Sequence, residues 1–123
     1  MIEPRPTILV VDDDAFSAEL AGLALEMGGF EALIAEGALD GLEKLAKDDS
    51  IRVIVSDLNM PLMDGQAFFL ELRSQGFSQP FILLSSQGGA PVSGIAEVLP
   101  KDEHFQEALP RRVAALLAEA RKG

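Results

Sequence analysis

The 123-residue chain has no cysteine, tryptophan or tyrosine, a single histidine, and only ten lysines and arginines. Without cysteine there is no disulfide, no thiolate nucleophile and no Cys-ligated zinc. With His104 as the lone histidine, every multi-histidine metal site is excluded as well. The shortage of cations stands against 20 aspartates and glutamates, a formal net charge of −10. Nucleic-acid backbones are gripped by basic patches, so this balance argues against direct DNA or RNA binding, and equally against an anionic membrane surface. No apolar run approaches the ~20 residues that a membrane span requires. The N-terminal Met1-Ile2-Glu3-Pro4-Arg5-Pro6 has no apolar signal core. Hydrophobic residues still make up 48% of the chain, too many for a disordered acidic tract. The expectation is one cytoplasmic acidic domain over residues 1–123, with its core from about 7 to 120. The feature to explain is the surplus of carboxylates.

Short apolar runs alternate with amphipathic stretches along the chain. Thr7-Ile8-Leu9-Val10-Val11 reads as a strand buried on both faces. A helix follows, with Phe16, Leu20, Leu23, Ala24 and Met27 on one face and Gly28-Gly29 as its stop. Residues 32–35 read as a second strand, and 38–47 as a helix with Leu42, Leu45 and Ala46 inward. A third strand over 51–55 ends at Ser56-Asp57. Asp64 is a good N-cap for a helix that runs to Gly76, on which one of Phe68 and Phe69 is expected to point outward. Phe81-Ile82-Leu83-Leu84 is a fourth strand closed by Ser85-Ser86, and 96–99 a weak fifth. Residues 87–95 carry three glycines and a proline, so a helix there is expected to be short or irregular. The last amphipathic helix spans about 103–121. Pro110 inside it either kinks it or opens a second helix, and His104 at its start is expected to face solvent.

Such alternation predicts an α/β fold with a parallel sheet and helices on both faces. Ligands in these folds bind beyond the carboxyl ends of the strands. Those ends carry Asp12-Asp13-Asp14, Asp57, Ser85-Ser86 and Lys101. Taken singly, an Asp run is a turn and a helix cap, and Asp14 reads as such a cap. If the first and third strands are adjacent, however, two or three carboxylates converge and repel one another. A hard divalent cation relieves that repulsion, and Mg²⁺ takes oxygen ligands, one or two carboxylates together with phosphate. A carboxylate beside such a cation can itself be the nucleophile and become an aspartyl-phosphate. Lys101 and Ser85 could then supply the cation and hydroxyl that the phosphoryl oxygens need.

Val10-Val11-Asp12-Asp13-Asp14, Asp57-Leu58-Asn59-Met60-Pro61-Leu62-Met63-Asp64-Gly65, Leu84-Ser85-Ser86 and Lys101 together resemble the receiver domain of two-component response regulators. The similarity runs from about Thr7 to Leu117. It implies the CheY-like doubly wound five-stranded parallel sheet, order 2-1-3-4-5. It also implies that Asp57 is the phosphoacceptor, with Asp12 and Asp13 as the acidic pair, Asp13 a direct Mg²⁺ ligand and Asp12 acting through metal-bound water. The Asn59 backbone carbonyl would be the third protein ligand, and Mn²⁺ an alternative ion. Ser85 would be the switch hydroxyl and Lys101 the partner of the phosphoryl group. Asn59 and Gln87 would fall where the family tunes phosphoryl lifetime. The implied donor is a histidine kinase or histidine phosphotransfer protein, and the implied output is contact with a downstream protein effector.

Three positions depart from the family pattern. Asp102, not proline, follows Lys101, so the Lys101–Asp102 peptide is expected to be trans, since a non-proline cis bond costs about 3–4 kcal/mol. Pro100 comes one step early, which leaves a cis Leu99–Pro100 bond open. The segment between Ser85 and Lys101 is short and glycine-rich, and Val98 stands at the aromatic switch position. Two rivals follow: a degenerate receiver that only docks a partner, and a Mg²⁺-dependent phosphohydrolase with Asp57 as nucleophile.

Overall fold

The structure, a computed structural model, describes residues 5–86 and 92–122. Five strands, β1 (Thr7–Val11), β2 (Glu31–Ala35), β3 (Ile51–Asp57), β4 (Phe81–Ser85) and β5 (Glu97–Pro100), form one sheet in the order β2-β1-β3-β4-β5. Every pairing is parallel. Four helices connect or follow them: α1 (Ala15–Met27), α2 (Ala38–Lys47), α3 (Gly65–Ser74) and α4 (Phe105–Lys122).

The period-2 alternation of the strands divides the core in two. On one face Ile8, Val10, Val53, Val55, Ile82 and Leu84 pack with Ala18, Ala21 and Leu25 of α1 and Leu109 and Val113 of α4. On the other, Leu9, Val11, Ile54, Phe81 and Leu83 pack with Leu45 of α2 and Phe68, Phe69 and Leu72 of α3. Strands buried on both faces need continuous apolar sequence, which is why they were legible. In the order β2-β1-β3 the chain winds from β1 to one side and then back across it to β3, so the winding switches sides at β1 and β3. A cleft therefore opens at their carboxyl ends, where Asp12 and Asp57 lie.

Three expectations about the helices are corrected. On α1 the stripe of Phe16, Leu23 and Met27 faces outward, at 70%, 55% and 83% exposure, while Ala18, Ala21, Gly22, Ala24 and Leu25 are buried. Small residues on the inner face let α1 lie close to the sheet. A Cβ on Gly22 would already stand 3.3 Å from the Ile34 side chain. Ala46 of α2 is exposed, and the inner face is Ala38, Gly41 and Leu45. Phe68 and Phe69 are both buried. Phe69 stacks edge-on against Phe81 at 5.1 Å and carries the Arg73 guanidinium 4.6 Å above its ring. Gly94 approaches it so closely that an added Cβ would sit 2.9 Å from the ring. The segment ahead of β5 thus covers the second phenylalanine.

Pro110 lies within one continuous helix, so no second helix begins there. It packs on Gly28, where an added Cβ would come within 2.5 Å of its own. The expectation of a short or irregular helix over 87–95 falls largely outside the described residues; 92–95 form a turn with Ile95 buried. Gln87 also lies outside them. Among the described residues every peptide bond is trans, Leu99–Pro100 and Lys101–Asp102 included. Asp102 instead starts α4: its side chain accepts from the His104 amide at 2.9 Å and its carbonyl from Phe105 at 3.1 Å. No helix among the described residues is long and apolar enough to cross a membrane.

Candidate functional site

The carboxyl ends of β1 and β3 bring Asp12, Asp13 and Asp57 together, with one oxygen of each within 4.8 Å of the others. Asp12 is buried and Asp57 only 9% exposed, while Asp13 opens to solvent. Local turns fix each of them. Asp12 Oδ1 accepts from the Asp14 amide at 3.0 Å, and Asp14 caps α1 by accepting from the Phe16 amide at 3.1 Å. Asp57 is the last residue of β3, and the Leu58 amide behind it donates to the Leu84 carbonyl at 2.8 Å. The loop then turns back: Gly65 donates to the Leu58 carbonyl at 2.8 Å, and Asp64 caps α3 through the Ala67 amide at 2.8 Å.

Lys101 reaches in from the end of β5, anchored by its amide on the Ser85 carbonyl at 2.9 Å. Its ammonium lies 2.7 Å from Asp57 Oδ1 and 3.2 Å from Asp12 Oδ2. It also donates to Ser17 Oγ at 3.0 Å. Ser85 is buried at the end of β4, one residue beyond the Leu84 that pairs with Asp57. Asn59 stands exposed two residues past β3. The arrangement therefore brings Asp12, Asp13, Asp57 and Lys101 into one cluster. Ser17 was not anticipated. The available signal was a hydroxyl on the first turn of the helix that follows the acidic run.

Leu62, in the loop after Asp57, has φ of 70° and is spanned by a hydrogen bond from the Met63 amide to the Pro61 carbonyl at 2.7 Å. This is a tight three-residue turn of the strained kind. It lies in the loop that leads from β3 to α3.

Charge in the cleft is unbalanced. Three carboxylates cluster beside one ammonium, which pairs with Asp12 and Asp57, leaving two negative charges among these described residues. Burial is the largest influence on Asp57 and pushes its carboxyl above the ordinary 3.8. The Lys101 hydrogen bond and charge oppose that rise, and Asp12 and Asp13 add to it. For Lys101, burial pulls the ammonium down, but the Asp57 hydrogen bond and the Asp12 and Asp57 charges outweigh it and raise the group above 10.5. One lysine is thus held firmly charged without returning Asp57 to an ordinary carboxylate.

A carboxyl raised by folding stabilises the native state only while protonated. That contribution is complete below pH 3.8 and is lost as pH rises through the raised value. At neutral pH the ionised Asp57 therefore costs stability. Asp57→Asn is expected to melt higher than wild type in chelator-treated buffer, and the gap should narrow as pH is lowered toward 3.8. Thermal melts across that range check it, and an isosteric mutant that melts lower at neutral pH would contradict it.

The donor set fits a hard divalent cation: carboxylate oxygens only, clustered, and short of two positive charges. A doubly wound parallel sheet with this acidic, lysine-bearing cluster at its strand ends defines a class of α/β domain. Residues 8–108 match the family model described as the response regulator receiver domain, and the chain belongs to that family. It is 31% identical over 115 residues, 89% of its length, to the response regulator MprA of Mycobacterium ulcerans (strain Agy99), covering 49% of that protein. It is 34% identical over 84 residues, 68% of its length, to the transcriptional regulatory protein GlrR of Escherichia coli (strain K12), covering 19% of it. The chain thus spans less than half the length of these curated relatives. Among solved structures it superposes on the response regulator TrrA of Thermotoga maritima, in complex with Mg²⁺ and BeF, with a TM-score of 0.76 and 27% identity over 89% of this chain and 97% of that one.

Proposed function

We propose that this chain is a working phosphoacceptor: it takes a phosphoryl group from a phosphohistidine of a histidine kinase or histidine phosphotransfer protein onto Asp57, in a Mg²⁺-dependent reaction. The observation that carries this reading is the charge deficit. Three carboxylates converge around one ammonium, and the buried carboxylate contacts that ammonium directly. In the transfer, an Asp57 oxygen forms the bond to phosphorus and the P–N bond breaks, its electron pair staying with the imidazole. Asp12, Asp13, Asp57 and the Asn59 carbonyl would hold the Mg²⁺, which supplies charge neutralisation between the carboxylates and the incoming phosphoryl oxygens. Lys101 would move from Asp57 to those oxygens, and Ser85 would offer its hydroxyl. The TrrA structure was solved with Mg²⁺ and BeF, which supports the same pairing of ion and phosphoryl-like group here. Phosphorylation would alter the cleft and control a downstream protein in the cytoplasm, the chain acting as a signalling switch that catalyses its own phosphorylation and dephosphorylation.

Intact-mass measurement after incubation with acetyl phosphate and Mg²⁺ tests this. One phosphoryl adduct is expected, absent with chelator and absent in Asp57→Asn. A wild-type protein that takes no adduct is a docking module, and one that turns over many phosphate esters is a hydrolase.

A further inference from the structure

An ammonium has three N–H donors and no acceptor, and in this cleft Lys101 has three partners: Asp57, Asp12 and Ser17. Only one of the three is neutral. A divalent cation drawn to the acidic cluster competes for the oxygens of Asp12 and Asp57, and a phosphoryl group on Asp57 consumes one of its oxygens outright. Ser17 belongs to neither set. Its hydroxyl sits on the first turn of α1, whose start is fixed by the Asp14 cap. The chain entering the site at Lys101 has no following proline to restrict it, since Asp102 stands there and is engaged in starting α4.

The geometry points to Ser17 as a positioning residue that holds the Lys101 ammonium over the cleft while its carboxylate partners are claimed by cation and phosphoryl group. The inference deepens the phosphoacceptor reading and rests on it for its kinetic consequence, though the tether itself does not depend on phosphorylation. Ser17 acts through Lys101 and touches no reacting atom. Its loss should therefore lower the maximal rate of adduct formation without changing the half-saturating Mg²⁺ or acetyl phosphate concentrations. Losing one hydrogen bond to a charged donor corresponds to a fall of roughly ten- to a hundredfold.

The test compares wild type, Ser17→Ala and Ser17→Thr on the whole chain. The first readout is hydrogen exchange of the Lys101 ammonium followed by ¹H–¹⁵N NMR, its signal assigned by its absence in Lys101→Arg. In metal-free protein, exchange is expected to be faster in Ser17→Ala than in wild type, with Ser17→Thr restoring it, and Mg²⁺ should widen the difference. The second readout is the time course of the phosphoryl adduct at saturating Mg²⁺ and acetyl phosphate, where Ser17→Ala falls and Ser17→Thr recovers. Unchanged ammonium exchange in Ser17→Ala overturns the tether. So does a lowered melting temperature accompanied by a wild-type rate. A wild-type protein that never takes the phosphoryl group defeats the phosphoacceptor reading instead, and the ammonium exchange still decides whether Ser17 holds Lys101.

Discussion

Lys101→Ala is expected to slow formation of the Asp57 phosphoryl adduct by roughly two to three orders of magnitude, the usual effect of removing one preorganised donor from a site of developing charge. No other cation contacts Asp57 among the described ion pairs, so nothing nearby can take over. The same substitution should destabilise the metal-free protein. Asp12 and Asp57 are buried, and removing their shared partner leaves both charges uncompensated. Breaking a fully buried pair costs about 3–5 kcal/mol; because the Lys101 side chain is 20% exposed, about 1–3 kcal/mol is expected here. The two effects separate on adding Mg²⁺. A divalent cation can replace the lost charge between the carboxylates, so the stability deficit should shrink, while the rate deficit remains because the phosphoryl oxygens still lack the ammonium. Melts with and without Mg²⁺, alongside adduct time courses, read both. A rate within tenfold of wild type, or a deficit that Mg²⁺ leaves untouched, would sink this account.

What could be read in the sequence followed from how strongly each position is constrained. Strands buried on both sides must be continuously apolar, so β1, β3 and β4 fell close to their observed limits. The carboxylates at their ends were legible because the doubly wound order has only one place to put them. Side-chain alternation within helices was less secure. On α1 both faces repeat at helical spacing, and bulk suggested that Phe16, Leu23 and Met27 lie inside, yet the sheet accepts the face of alanines and glycine because it allows closer approach. The expectation that one of Phe68 and Phe69 points outward failed for a different reason, since Phe69 is buried as well. The turn at Gly94 that covers it comes from residues distant in sequence, and local periodicity carries no trace of that contact. Ser17 went unnoticed because a helix-start serine has an ordinary role as a polar surface residue. Only the tertiary approach of Lys101, 84 positions along the chain, gives it another.

Gly65→Ala should do comparable damage without touching any charged group. Gly65 opens α3 directly against the end of β3. A Cβ there would lie 2.5 Å from the Asp57 carbonyl oxygen, 2.6 Å from Leu83 Cδ1 and 3.0 Å from Leu58 Cα. Two of those three neighbours are backbone, so the clash cannot be relieved by turning a flexible side chain. The helix must shift outward or the end of β3 must move, and either displaces the residue that carries the acceptor carboxylate. Overpacking of this kind costs about 3 kcal/mol, which for a domain of this size lowers the melting temperature by roughly 10 °C. Misplacement of a reacting group by about 1 Å costs on the order of a hundredfold in rate, so adduct formation should fall by a similar factor even at temperatures where the variant stays folded. Gly37→Ala is the matched control. Gly37 also lies at a helix start beside the cleft, but its backbone is extended and nothing stands within 4 Å of an added Cβ. It should melt and phosphorylate as wild type does. If Gly65→Ala matched that control in both measurements, the close contact between α3 and the end of β3 could not be what seats Asp57.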